Sequence, residues 1–120
     1  MRSEMIQRVL EEFVVNAAEV EGAAVTSMDG LTIAAHLPQG MDEDRVGAMT
    51  AAMLSLGERT AEELQRGSLE QVLVRGTGGF ILTVQAGPEA VLTALVRQNA
   101  KLGLVFLDIK RAASKIAELL

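Results

Sequence analysis

Apolar side chains recur at helical spacing near the start of the chain. Ile6, Val9, Leu10, Phe13, Val14 and Ala17 share one side, and Glu4, Arg8, Glu11 and Glu12 the other. The spacing predicts an amphipathic helix over 3–19. Two short runs follow, 22–28 and 31–36, with small or apolar residues on both faces, as in strands of a sheet covered on two sides. Between them, Asp29-Gly30 is a strong hairpin signal and predicts a type I′ turn, which needs positive φ at both central positions. Residues 36–41 read as a loop. Asp42 is then a suitable N-cap, with Glu43 and Asp44 at the positive end of the helix dipole and Met41 and Val46 at staple positions. This helix is expected to run to Arg66, with Gly67 as its C′ residue, over about 35 Å. Segments 68–75 and 79–86 read as a second hairpin around Gly76-Thr77-Gly78. The run 90–97 is apolar on both faces; its length suggests a central strand, with a short helix as the competing reading. A last helix over 104–119 carries Val105, Ile109, Ala112, Ile116 and Leu119 on one side.

The order α-β-β-α-β-β-β-α predicts an α/β three-layer sandwich: a five-stranded, mostly antiparallel sheet with helices on both faces. A chain of 120 residues fits one domain, over 1–120.

The long helix is the unusual element. Val46, Met49, Met53, Leu56, Thr60 and Leu64 form one stripe, which is expected to pack on the sheet, the methionines as core filler. The opposite side should be polar, yet Gly47, Ala51 and Ser55 form a row of small residues at four-residue spacing, flanked by Ala48, Ala52 and Leu54. A polar back begins only at Glu58, Arg59, Glu62 and Arg66. A helix apolar all round is buried, and one small domain covers one face of it. Small residues in line admit a second backbone, so the row is expected to meet a partner. The segment 68–75 has neither proline nor lysine to blunt an exposed strand edge. A two-fold pair joined through both elements would bury on the order of 1,600 Å². The expected dimer interface is Gly47, Ala51, Leu54, Ser55 and Glu58 on the helix, and Leu69, Gln71 and Leu73 on the strand.

Composition narrows the function classes. Cysteine, tryptophan and tyrosine are absent, and there is one histidine. No disulfide, zinc thiolate or cysteine nucleophile can form. Aromatics make up 2% of residues, too few for a base-stacking platform, and the net charge of −5 repels nucleic-acid backbones and anionic lipid. Neither nucleic acid nor membrane is expected as a partner. The acidic residues near the start do not suit a signal peptide, and a cytoplasmic location is expected.

Candidate chemistry is sparse. The sequence Arg75-Gly76-Thr77-Gly78-Gly79 has the glycines of a phosphate loop but lies between two strands, without a following helix or lysine, so a hairpin turn accounts for it better. His36 could serve as a general base, but no partner is tied to it by sequence, and an exposed loop histidine is the simpler account. Asp42, Glu43 and Asp44 could hold a metal, but serve equally as cap and first-turn charge. No catalytic residue, cofactor or metal is expected, and the protein is not expected to be an enzyme.

Three stretches together resemble the roadblock family, the dynein light chain-related domains that include bacterial and archaeal regulators of small GTPases. They are Val20-Glu21-Gly22-Ala23-Ala24-Val25-Thr26-Ser27-Met28-Asp29-Gly30-Leu31-Thr32-Ile33-Ala34, the alanine-rich 49–67 helix leading into 69–74, and Leu102-Gly103-Leu104-Val105-Phe106. The resemblance implies an obligate homodimer, paired through the long helix and the third strand into one continuous sheet. It also implies a non-enzymatic scaffold or regulator that binds a Ras-like small GTPase. Assembly adaptor without effect on hydrolysis is the alternative, and a small-molecule sensor a more distant one. No arginine is singled out as a finger toward a GTPase; ordinary solvation accounts for Arg45, Arg59, Arg66, Arg75 and Arg97.

Overall fold

Five strands lie side by side because three hairpin connections and one long return bring them there. The computed structural model describes residues 2–120. In chain order these are α1 (Arg2–Asn16), β1 (Val20–Ser27), β2 (Thr32–His36), α2 (Glu43–Glu63), β3 (Gln71–Gly76), β4 (Gly79–Gln85), β5 (Ala90–Arg97) and α3 (Leu102–Leu119). The spatial order is β2-β1-β5-β4-β3, and every pairing is antiparallel. The run 90–97 is the central strand. Thr77-Gly78 link β3 and β4 at the Gly76–Gly79 pair, so the glycine-rich segment is a hairpin turn.

Alternation along β5 sorts the two faces. Ala90, Leu92, Ala94 and Val96 join the main core, with Leu82 and Val84 of β4 and Ala23 and Val25 of β1. Helices α1 and α3 close that core with Ile6, Leu10, Phe13, Val105, Ile109 and Ile116. Burying each large side chain contributes about 1.5–3 kcal/mol. On the other face Ala24, Thr26, Val91, Thr93 and Thr83 lie under α2, all buried. Thr93 Oγ1 is 3.1 Å from Thr50 Oγ1 of α2 and 3.0 Å from Thr83 Oγ1, so a chain of buried hydroxyls ties the helix to β5 and β4. Thr93→Val keeps the shape but strands two hydroxyls. It should cost about 1–3 kcal/mol, read from the urea midpoint.

The orientation of α2 corrects the sequence reading. Its buried residues are Gly47, Thr50 and Leu54. The stripe expected on the sheet points elsewhere: Met49 is 58% exposed, Leu56 66% and Leu64 64%. Met49 is therefore not core filler. Close approach explains the turn of the helix. The row of small residues does admit another backbone, but that backbone is the chain's own. Gly30, at φ 92°, sits on Gly47, and a Cβ on Gly30 would lie 2.7 Å from Gly47 O. Farther along, Gly57 packs on Leu69 and Val72. Alanine at Gly47 would drive its Cβ into the Gly30 carbonyl. At an open helical site Gly→Ala stabilises by up to about 1 kcal/mol. Here Gly47→Ala should destabilise by about 1–3 kcal/mol in urea.

Three further expectations shift. The Asp29-Gly30 turn is not type I′: Gly30 alone has positive φ there. Gly30 N–H donates to Ser27 O (3.1 Å) and Ser27 N–H to Leu31 O (2.8 Å), which encloses a three-residue loop. Ser27 Oγ donates to Asp29, and this bond, with one from the backbone, holds that carboxyl below its ordinary range. Helix α2 ends at Glu63, not Arg66. Gln65 takes the left-handed C′ position at φ 59°, with Arg66 N–H donating to Ala61 O and Gln65 N–H to Glu62 O, a Schellman pair closed without glycine. Gly67 is also left-handed, at φ 85°, but lies in the link, and β3 starts at Gln71 rather than residue 68.

Candidate interaction surface

The α2 stripe and the β3 edge meet. Met53 and Leu56 of α2, with its C-cap residue Leu64, line one side of a groove of about 500 Å³, and Leu69, Val72 and Val74 line the other. Helical geometry turns this stripe by roughly a quarter turn or more from the buried Gly47–Thr50–Leu54 line. The stripe is thereby left beside β3 instead of beneath the helix. Strand β3 pairs only with β4, so its outer backbone is a free edge. It is exposed along nearly its whole length, including Leu73 at 41%.

The side chains of β3 point to both faces. Cross-strand partners share a face. Gln71 is opposite Val84 and Leu73 opposite Leu82, on the side of the main core. Val72 and Val74 are opposite Thr83 and Ile81, on the α2 side. Arg75 is opposite Phe80, and its guanidinium lies 5.5 Å from that ring's centre. A contiguous apolar surface of this kind, open to water, is a candidate for contact with another molecule.

The residues predicted for this contact divide. Leu69 is half-buried, and Gln71 and Leu73 are exposed at the β3 edge. On the helix, Gly47 and Leu54 are buried against the subunit's own sheet, which corrects their expected place on an open face. Ala51 is half-buried beside the Gly30 turn. Ser55 and Glu58 are exposed, but helical geometry places them on the flank away from Met53 and Leu56. The apolar surface instead takes Met49, Met53, Leu56, Leu64, Val72 and Val74. The sequence signal for them was the stripe itself. The threonines and alanines of β1, β4 and β5, which accept only a thin helix face, indicate where that stripe cannot go.

The remaining polar candidates are used structurally or stand in water. Asp42 caps α2, its Oδ1 accepting from Asp44 N–H at 3.0 Å. Ser27 is committed to Asp29 and to Leu31 N–H. His36 is exposed at the end of β2. Arg45, Arg59, Arg66, Arg75 and Arg97 are all exposed. Among the described residues no helix is long and apolar enough to cross a membrane.

Known proteins share this fold. The Roadblock/LC7 domain profile matches residues 5–96. Two uncharacterized proteins of Methanocaldococcus jannaschii are each 44% identical over 113 residues, covering 93% of this chain and 96% of theirs. A solved Roadblock/LC7 domain from Streptomyces avermitilis is 29% identical at a TM-score of 0.73, over 91% of this chain and 95% of that one. MglB of Myxococcus xanthus shares the fold at a TM-score of 0.89 and 19% identity, over 98% of this chain and 88% of that one. The match of order, sheet and sequence over most of its length makes this chain a member of the Roadblock/LC7 family.

Proposed function

We propose that the protein is a homodimer, joined through the outward stripe of α2 and the β3 edge, that binds a Ras-like small GTPase and modulates or anchors it. The observation that carries the reading is the apolar groove between Met53, Leu56 and Leu64 and the strand beside them. A second copy covers both features at once: β3 against β3 supplies the missing ladder bonds, each adding about 0.5–1.5 kcal/mol, and the two α2 stripes cover each other's apolar surface. Two five-stranded sheets then run on as one.

In this reading the domain performs no chemistry of its own. It changes the GTPase by binding one conformation better than another, and the shift is limited to that difference in affinity. A broad, stiff sheet backed by helices suits holding a mobile switch loop in place. Support for this partner comes from family membership and from the fold shared with MglB proteins, among them the gliding protein MglB of Thermus thermophilus, at a TM-score of 0.86.

The test is titration of the protein against purified Ras-like GTPases of its own organism, beginning with any encoded beside it. Saturable binding to the GTP-loaded form is expected, together with a changed hydrolysis rate. Binding with hydrolysis unchanged identifies an adaptor. Binding to none of them overturns the GTPase reading.

A further inference from the structure

A sheet has two edges, and in this molecule they are not equivalent. At the β3 edge no side-chain hydrogen bond to the strand backbone is present among the described residues. At the β2 edge Gln7 of α1 reaches Ala35: its Nε2 donates to Ala35 O at 2.9 Å, and its Oε1 accepts from Ala35 N–H at 3.3 Å. An added antiparallel strand would offer the same two bonds, one donor and one acceptor to a single residue. The amide is also fixed in orientation. Its Nε2 donates again to Glu11, one turn along α1, at 3.1 Å, so both of its N–H groups are engaged.

Ala35 occupies a decisive place. Strand β2 has five residues. Alternate residues of an edge strand face outward, so the loss of one site near the end leaves too few for a stable ladder. The edge is otherwise open. A groove of about 470 Å³ runs beside it, lined by Ser3, Glu4, Gln7, Arg8, Glu11 and Ile33. Strand β2 also lacks proline and lysine, the usual means of blunting an edge.

We propose that Gln7 seals the β2 edge by imitating a neighbouring strand, so that another copy of this chain can add at β3 only. The inference rests on the β3-paired dimer proposed above and states why that pair is closed. Two copies joined through β3 still present a β2 edge at each end of the shared sheet. Without the seal, those ends would pair in turn and the assembly would grow.

Two variants test this in the full-length chain. Gln7→Ala removes the amide and keeps a strong helix former at this half-buried position. Gln7→Lys also removes the amide but places a charge at the edge. Sedimentation across a wide concentration range should give one mass for the unmodified protein. Gln7→Ala should add species at multiples of that mass as concentration rises, and Gln7→Lys should not. Exchange of the Ala35 amide proton, read at low concentration, should quicken about tenfold in both variants. The seal is overturned if Gln7→Ala keeps the unmodified mass at every concentration. It is equally overturned if both variants associate alike, because a loosened fold rather than an open edge would then be the cause. Failure of the β3 dimer is a separate result: an unmodified monomer that pairs only as Gln7→Ala would keep the seal and remove the dimer.

Discussion

Leu56→Asp should yield a folded monomer. Leu56 is 66% exposed in the single subunit and lies in the middle of the α2 stripe. Within one subunit the change touches little, and surface substitutions of this kind move stability by roughly half a kcal/mol. In the proposed dimer the same position is buried in both copies. Each aspartate would bring an unpaired charge into an apolar contact, at several kcal/mol apiece. The dissociation constant should rise by at least about a thousandfold, equivalent to roughly 4 kcal/mol. Light scattering should read half the unmodified mass, while circular dichroism and the thermal transition still report a cooperative fold. A dimer of unchanged affinity would show that this stripe faces water.

Leu54→Asp, two residues away, should instead unfold the subunit. Leu54 is 6% exposed and belongs to the line that α2 places on its own sheet, with Gly47 and Thr50. The substitution removes a packed side chain and buries a charge without a partner. Both effects together exceed about 4 kcal/mol, against a total stability of about 5–15 kcal/mol for a domain. Urea titration followed by circular dichroism should show most of the native signal lost or the midpoint sharply lowered, at any protein concentration. The pair of variants separates the two faces of one helix. A folded monomer from Leu54→Asp would mean that the helix is turned the other way.

The distinction between those leucines is also where the sequence stopped being readable. The element order, the hairpins and the central place of β5 follow from periodicity and turn residues, because each depends on side chains a few positions apart. The two-sided character of α2 was legible for the same reason: Gly47, Ala51 and Ser55 on one line and Met49, Met53 and Leu56 on another are visible on a helical wheel. Which line meets the sheet was not. That choice depends on the depth of the surface beneath, set by Thr50, Thr83 and Thr93 joined through their hydroxyls and by Gly30 brought against Gly47. These partners are distant in sequence. Hydrophobicity alone assigns the larger side chains inward; packing assigns the smaller ones, because only they let the helix lie close enough. The β3 edge and its lack of proline or lysine could be read directly. The matching role of Gln7 at β2 could not, since a glutamine on a polar helix face gives no sign of the backbone it reaches, 28 positions away.

The α2 end shows the same limit on a smaller scale. Glycine is the expected C′ residue, and Gly67 offered itself. The chain instead turned at Gln65, where the bonds from Arg66 and Gln65 to Ala61 and Glu62 hold a left-handed glutamine in place. The three residues released in this way, 64–66, join the link over 64–70 that sets Leu69 against Gly57 and begins β3 at Gln71.

The claim that one subunit leaves an apolar groove for a second is tested most directly by sedimentation equilibrium of the unmodified protein at micromolar concentration. The account predicts a single species of twice the 12.8 kDa chain mass. A species of 12.8 kDa, folded and stable with Leu56 and the β3 edge open to solvent, would contradict it.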